Sequence, residues 1–244
     1  PAAPAPASAV LSGVITKTGI YGVLVLSTTI FLYDGQWGLL LAVLGGITMV
    51  LGAVLAVCSV DLKRTLACSS VSQIGFILVG VAMQCLLGEH NALAVDGTIL
   101  HILNHSIIKM VLFPAAGIIH LSTHSFDFNE IRGFGRGKPA LALVMAVPML
   151  SLAGLPLLSG YVSKTLLHES IVEYIHLGQG GEVFFSLLEW AFLFAGGLTL
   201  AYMLKIFICL FWEKNPLSPE VLAKKWRKEG SYMASQSGTV LGLY

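Results

Sequence analysis

Apolar positions in this chain gather into six long runs, at residues 8–32, 37–60, 66–87, 98–120, 140–174 and 183–212, with short polar loops between them. Each run reaches the roughly 20 residues that a helix needs to cross the hydrocarbon core of a bilayer. None alternates with a period of two, which excludes a soluble β-rich fold. Glycines recur inside the runs, as at Gly45, Gly46, Gly52, Gly196 and Gly197, and suit close packing of helices in lipid. The pattern predicts an all-α polytopic membrane protein with six transmembrane helices in a single transmembrane domain, residues 1–244. A last apolar run, SGTVLGLY, is too short to cross and reads as a truncated seventh helix. The opening PAAPAPAS carries neither Met nor signal peptide, and the two ends together read as those of an internal piece of a longer protein.

Composition agrees with the pattern. Of 244 residues, 56% are hydrophobic and only 11% charged, too few charges to cover a soluble domain of this size. The net charge of +1 gives no reason to expect nucleic acid as a partner. Cys58, Cys68, Cys85 and Cys209 are scattered without CxxC spacing, so no disulfide framework, zinc site or iron–sulfur cluster is expected.

Charge orients the helices. The loops after the second, fourth and sixth runs hold Lys63, Arg64, Arg132, Arg136, Lys138, Lys214, Lys224, Lys225, Arg227 and Lys228. The alternate loops hold Asp34, Glu89, Asp96 and Glu182, with no Lys or Arg. The positive-inside rule places the first set, including a loop over residues 213–230, in the cytoplasm. Lys205, near the cytoplasmic end of the sixth run, reads as structural, snorkelling to the headgroups.

Three lysines remain at membrane depth: Lys17, Lys109 and Lys164. A charge there costs at least about 2.5–3.5 kcal/mol, so retained ones point to function. Lys17 lies about nine residues into the first helix, roughly 14 Å deep at 1.5 Å per residue. His101, His105 and Lys109 recur at i, i+4 and i+8, one face of the fourth helix, with Asn104 beside them. Histidine titrates near neutrality, which suits it to passing protons from group to group. A haem would call for histidines on facing helices, whereas these two share one.

The fifth run is interrupted. Pro148, Gly154, Pro156 and Gly160 fall within MAVPMLSLAGLPLLSGYVSKTLLHE. Proline removes an amide donor and clashes with the preceding turn, so the helix should open near Leu155 and Pro156. Open backbone at membrane depth is tolerated only where protein or cavity water satisfies it. Lys164 follows the break, and Glu169, a little over one turn further on, is expected to join it in the proton relay.

These residues, in the ordered segments APAPASAVLSGVITKTGIYG, DLKRTLACSSVSQIGFILVG, HILNHSIIKMVLF and LAGLPLLSGYVSK, resemble the antiporter-like subunits of respiratory complex I. The same family includes Mrp cation/proton antiporter subunits and the large membrane subunits of energy-converting hydrogenases. The resemblance covers nearly the whole chain. It implies roughly helices eight to thirteen of about fourteen, containing the second of two inverted repeats with its one broken helix. By it, Lys17 is similar to the group bridging two half-channels, His101, His105 and Lys109 to the central relay, and Lys164 to the terminal proton-releasing group. The family's first half-channel, with its glutamate–lysine pair, is absent. No carboxylate is clearly placed at the depth of Lys17; Glu189 is the nearest candidate.

The expected function is proton translocation through a Lys/His relay, as part of a redox-driven complex of the complex I or hydrogenase kind. An Mrp-type cation/proton antiporter subunit and a non-transporting membrane scaffold are the alternatives. A sodium site would want oxygen ligands at depth, and mainly Ser, Thr, Asn104 and backbone carbonyls are available. No redox cofactor, quinone pocket or metal site is expected, so electron transfer falls to partner subunits. Those partners would include the missing N-terminal half. The expected location is a prokaryotic cytoplasmic membrane, or a mitochondrial or plastid inner membrane.

Overall fold

A computed structural model describes residues 4–178 and 180–215. The truncated seventh helix, the cations Lys224, Lys225, Arg227 and Lys228, and most of the 213–230 loop lie outside the described residues. Among the described residues the chain is helical, without β-strands. Helix α1 covers Ala5–Ile30, α2 Gly35–Cys58, α3 Leu62–Leu87 and α4 Ala92–Thr123. The fifth apolar run is divided into α5, Pro139–Ala153, and α6, Ser159–His176. Helix α7 begins at Glu182 and continues through a π-helical end to Trp212. Five of these segments are long and apolar enough to cross a membrane.

Several helices start earlier than the apolar pattern indicates, because polar caps extend them. Asp61 accepts from the Arg64 amide at 2.7 Å and starts α3 at Leu62, while Asp34 accepts from the Trp37 amide at 3.0 Å and starts α2. Each cap satisfies a first-turn N–H that would otherwise face the membrane border unpaired.

Helix α3 is the hub, buried along nearly its whole length, with α2, α4, α6 and α7 packed around it. Its seam with α2 is built on small residues. A side-chain carbon added at Gly75 would collide with the Met49 amide nitrogen, and one at Gly52 with that of Ser72. Backbone this close supplies van der Waals attraction that lipid cannot compete with. Ser72 uses the proximity to donate to the Met49 carbonyl at 2.9 Å.

Three of the predicted cytoplasmic segments meet at one end of the bundle. Leu62 and Phe128 amides donate to Phe126 and Val60 carbonyls, and Gly133 and Gly135 amides donate to Cys209 and Leu210 carbonyls. An Arg132–Glu213 ion pair at 2.8 Å joins the same loops. Lys205 belongs to this end, though not as a snorkelling side chain: its ammonium donates to the Val57 and Ser59 carbonyls at 2.9 and 2.6 Å. It therefore closes the end of α2, where carbonyls lack helical partners and a cation is favoured.

The break in the fifth run falls at Gly154–Leu158. Gly154 adopts φ +86°, a left-handed conformation that ends α5, and its amide and that of Leu155 fold back onto Ser151 and Leu150 carbonyls. Pro156 cannot resume the helix, and Leu157, also left-handed at φ +76°, points fully outward. Pro148 is absorbed inside α5.

Candidate functional site

The fourth helix turns one face inward. His101, His105 and Lys109 are all buried, at 2%, 0% and 0% exposure, and they lie against α3, α1 and α6. Their partners come from those neighbours, and each neighbour presents its group for a local reason.

Helix α1 supplies Lys17. Its residues Leu11–Ile15 form a π-helical turn, a widening often found at functional positions. The Ser12 carbonyl in that turn accepts from Lys17 Nζ and from Thr16 Oγ1. Lys17 Nζ also lies 2.9 Å from His105 Nδ1. When the lysine donates, Nδ1 accepts and the imidazole proton sits on Nε2. That Nε2 is buried without a partner among the described residues.

Helix α3 supplies the partners of Lys109 and His101. Lys109 Nζ donates to the Leu66 carbonyl at 2.8 Å and to Ser69 Oγ, with the Phe113 ring 5.8 Å away. No carboxylate pairs with it among the described residues. One turn along α3, Gln73 Oε1 lies 3.0 Å from His101 Nε2, and Gln73 Nε2 reaches Thr199 of α7 at 3.4 Å. Ser70 joins the two sides, its hydroxyl 2.6 Å from that of Ser12. Lys17 and Lys109 are joined through the Ser12–Ser70 pair, since Ser70 and Lys109 both donate to the Leu66 carbonyl, and His105, bonded to Lys17, lies one turn from Lys109 on α4.

The broken helix closes the other end. Ser163 Oγ lies 3.1 Å from His101 Nδ1 and 3.2 Å from the Gly160 carbonyl, so its hydroxyl can turn to either. Asn104 donates to the Ser159 carbonyl at 2.8 Å and so ties α4 to the first turn of α6. Gly160 sits so close to α5 that an added carbon would overlap the Ser151 carbonyl. Lys164 turns inward at 8% exposure, near Gly154 and with Nζ 5.0 Å from the Phe76 ring. Its Nζ is buried with no hydrogen-bond partner among the described residues.

The structure therefore brings together Lys17, His101, His105, Lys109 and Lys164, with Gly154, Pro156 and Gly160 shaping the bend beside the last. It sets Glu169 apart. That carboxylate is exposed and lies 3.9 Å from His168, facing away from Lys164. Glu189 likewise does not serve Lys17 and instead pairs with His168 at 3.2 Å. Sequence reasoning missed Gln73, Ser69 and Ser163. A signal for the first two was present, since Ser69 and Gln73 are polar, four residues apart in a membrane helix, and so share a face.

Chemically, the arrangement is a row of nitrogen bases and hydroxyls inside an apolar bundle, with His101, His105 and Lys109 spaced one turn apart along α4. Such a row can accept, hold and pass protons.

Residues 1–179 match the family described as NADH:quinone oxidoreductase/Mrp antiporter, TM. A component of the Na(+)/H(+) antiporter of Alkalihalophilus pseudofirmus is 35% identical over 218 residues, covering 89% of this chain and 41% of that protein. Hydrogenase-4 component B of Escherichia coli is 33% identical over 220 residues, covering 85% of this chain and 32% of that protein. A solved Mrp complex from Dietzia sp. contains a chain with a TM-score of 0.75 and 28% identity, covering 88% of this chain and 38% of that one. The chain thus spans about two-fifths or less of the relatives it matches. With most of its length inside the matched region, the chain belongs to the NADH:quinone oxidoreductase/Mrp antiporter transmembrane family.

Proposed function

We propose that this chain carries protons across a membrane through a relay of Lys17, then His105, Lys109 and His101, and finally Lys164, as part of a multi-subunit, redox-driven complex. The observation that supports this best is His105: it takes a hydrogen bond from Lys17 at Nδ1, leaves Nε2 buried and unpartnered, and lies between His101 and Lys109 on one helix face. A buried imidazole with one nitrogen occupied and the other free is set to pass a proton onward. Kinship to a hydrogenase component supports the redox-driven assembly, in which electron transfer belongs to other subunits. The 1–244 segment acts as one transmembrane domain.

The Mrp reading has its own support in the sodium/proton antiporter relative. The two separate by cation dependence. Substrate-driven proton uptake into inverted vesicles should persist when sodium is replaced by choline; uptake that requires sodium would favour the antiporter.

Sidedness is part of the proposal. The end that gathers Lys63, Arg64, Arg132, Arg136 and Lys138 is assigned to the cytoplasm of a prokaryotic membrane. Cysteines introduced at Asp34 or Asp96 should react with an impermeant maleimide from outside, and one at Arg136 only from inside. Reversed labelling would reverse the direction of the relay.

A further inference from the structure

One titratable cluster lies outside the line described above, at the end of the bundle opposite the basic loops. His168 of α6 and Glu189 of α7 approach to 3.2 Å through Nε2 and Oε1, and Glu169 stands 3.9 Å from the other imidazole nitrogen. The imidazole and the Glu189 side chain keep 24% and 28% of their surfaces exposed, and Glu169 keeps 52%. The site is therefore half-open, unlike the closed surroundings of Lys164.

Position links the two. His168 follows Lys164 by four residues, which places both on one face of α6, about 6 Å apart along the axis. Side chains on a helix lean toward its N-terminus, so His168 leans toward the turn that carries Lys164. Between them runs an aromatic pair. The Phe76 ring lies 5.0 Å from Lys164 Nζ and packs edge-on against Phe192 at 4.7 Å, and Phe192 lies 5.9 Å from the His168 ring. The lysine end of this row is buried, at 8% exposure, while the His168 side chain keeps 24% of its surface open.

We infer that His168, flanked by Glu189 and Glu169, is the station that receives protons released by Lys164 and passes them to the opposite aqueous face. This rests on the proton-carrying role proposed above. In the step, an N–H bond of the Lys164 ammonium breaks and the nitrogen keeps the electron pair. The proton crosses on a water molecule and forms a new N–H bond at His168 Nδ1. The imidazolium, held between two carboxylates, then loses its Nε2 proton through Glu189 to bulk water. The same residues also hold α6 against α7, so the test must separate a clamp from a carrier.

His168→Gln does so, because its amide reproduces the Nε2 donor to Glu189 yet cannot take up a proton. With the whole assembly in sealed vesicles, proton translocation should fall about tenfold, less than for an obligatory transfer group because a half-open site admits water. Assembly, followed by the amount of intact complex, should stay normal. If His168→Gln loses assembly, Glu189→Gln takes its place, with a fall of the same order expected. Wild-type translocation by an assembled variant, with Lys109→Ala inactive in the same assay, would overturn the station and leave the relay standing. Wild-type rates in both His168→Gln and Lys109→Ala would instead remove the relay itself.

Discussion

Lys109→Ala is expected to lower proton translocation about a hundredfold while the complex still assembles, the loss that follows removal of a positioned proton-transfer group. The side chain is fully buried, and its ammonium is held only by the Leu66 carbonyl and Ser69 hydroxyl. Ser69 keeps its own bond to the Leu66 carbonyl at 2.8 Å, so truncation leaves no polar group stranded there. Removing an unpaired buried charge offsets part of the cost of the cavity that alanine leaves, so the thermal stability of the purified complex should change far less than its activity. Lys109→Arg is the companion variant. A guanidinium stays protonated, so it fills the site without releasing a proton, and it should be as inactive as alanine. Normal pumping by either variant, read from vesicle acidification, would refute the relay.

The second large effect is expected at Lys164. Its ammonium nitrogen is buried with no hydrogen-bond partner among the described residues, the least satisfied position in the line. A group that makes few bonds at rest loses little on changing its charge, which suits the point where a proton is handed over. Lys164→Ala should reduce translocation about tenfold or more, as loss of a proton-transfer group does. Lys164→Glu keeps a titratable group facing Phe76 and should retain a measurable fraction. Equal loss in both would mean that the lysine's shape or positive charge, rather than its titration, is what the site uses. Unchanged rates in both would reduce Lys164 to a structural residue of the bend.

Much of this organisation was legible from residue order alone. The helices were readable because lipid demands long apolar runs, and the break was readable because Pro156 cannot continue a helix and Gly154 readily takes the left-handed turn that ends one. The inward face of α4 followed from the four-residue spacing of His101, His105 and Lys109. Other features depend on which helices become neighbours, and no local pattern carries that. Lys205 looked like a headgroup anchor until the end of α2 was found within its reach. Glu169 looked like a relay member beside Lys164, being close in sequence, but five residues along a helix turn its carboxylate off the face that Lys164 presents, and it stands exposed, 3.9 Å from His168. Gln73 shares a polar face of α3 with Ser69, but which group it serves appears only when α3 and α4 pack with His101 opposite.

The contact of Gly160 with the Ser151 carbonyl constrains how such a path can open and close. With no space for even one carbon between the two halves of the broken helix, and the Gly160 amide held by Ser151 Oγ at 3.1 Å, the halves cannot slide past each other without first separating. Access to either face must then be switched by parts lighter than a helix. Lysine chains of four methylenes, hydroxyl rotors at Ser163 and Ser69, and imidazole rings are the parts available. Such groups turn far faster than the microseconds to milliseconds of hinge motions. In the relay proposed above, the bend is then a fixed bracket, the moving pieces are side chains, and turnover is timed by whatever drives the path from outside it.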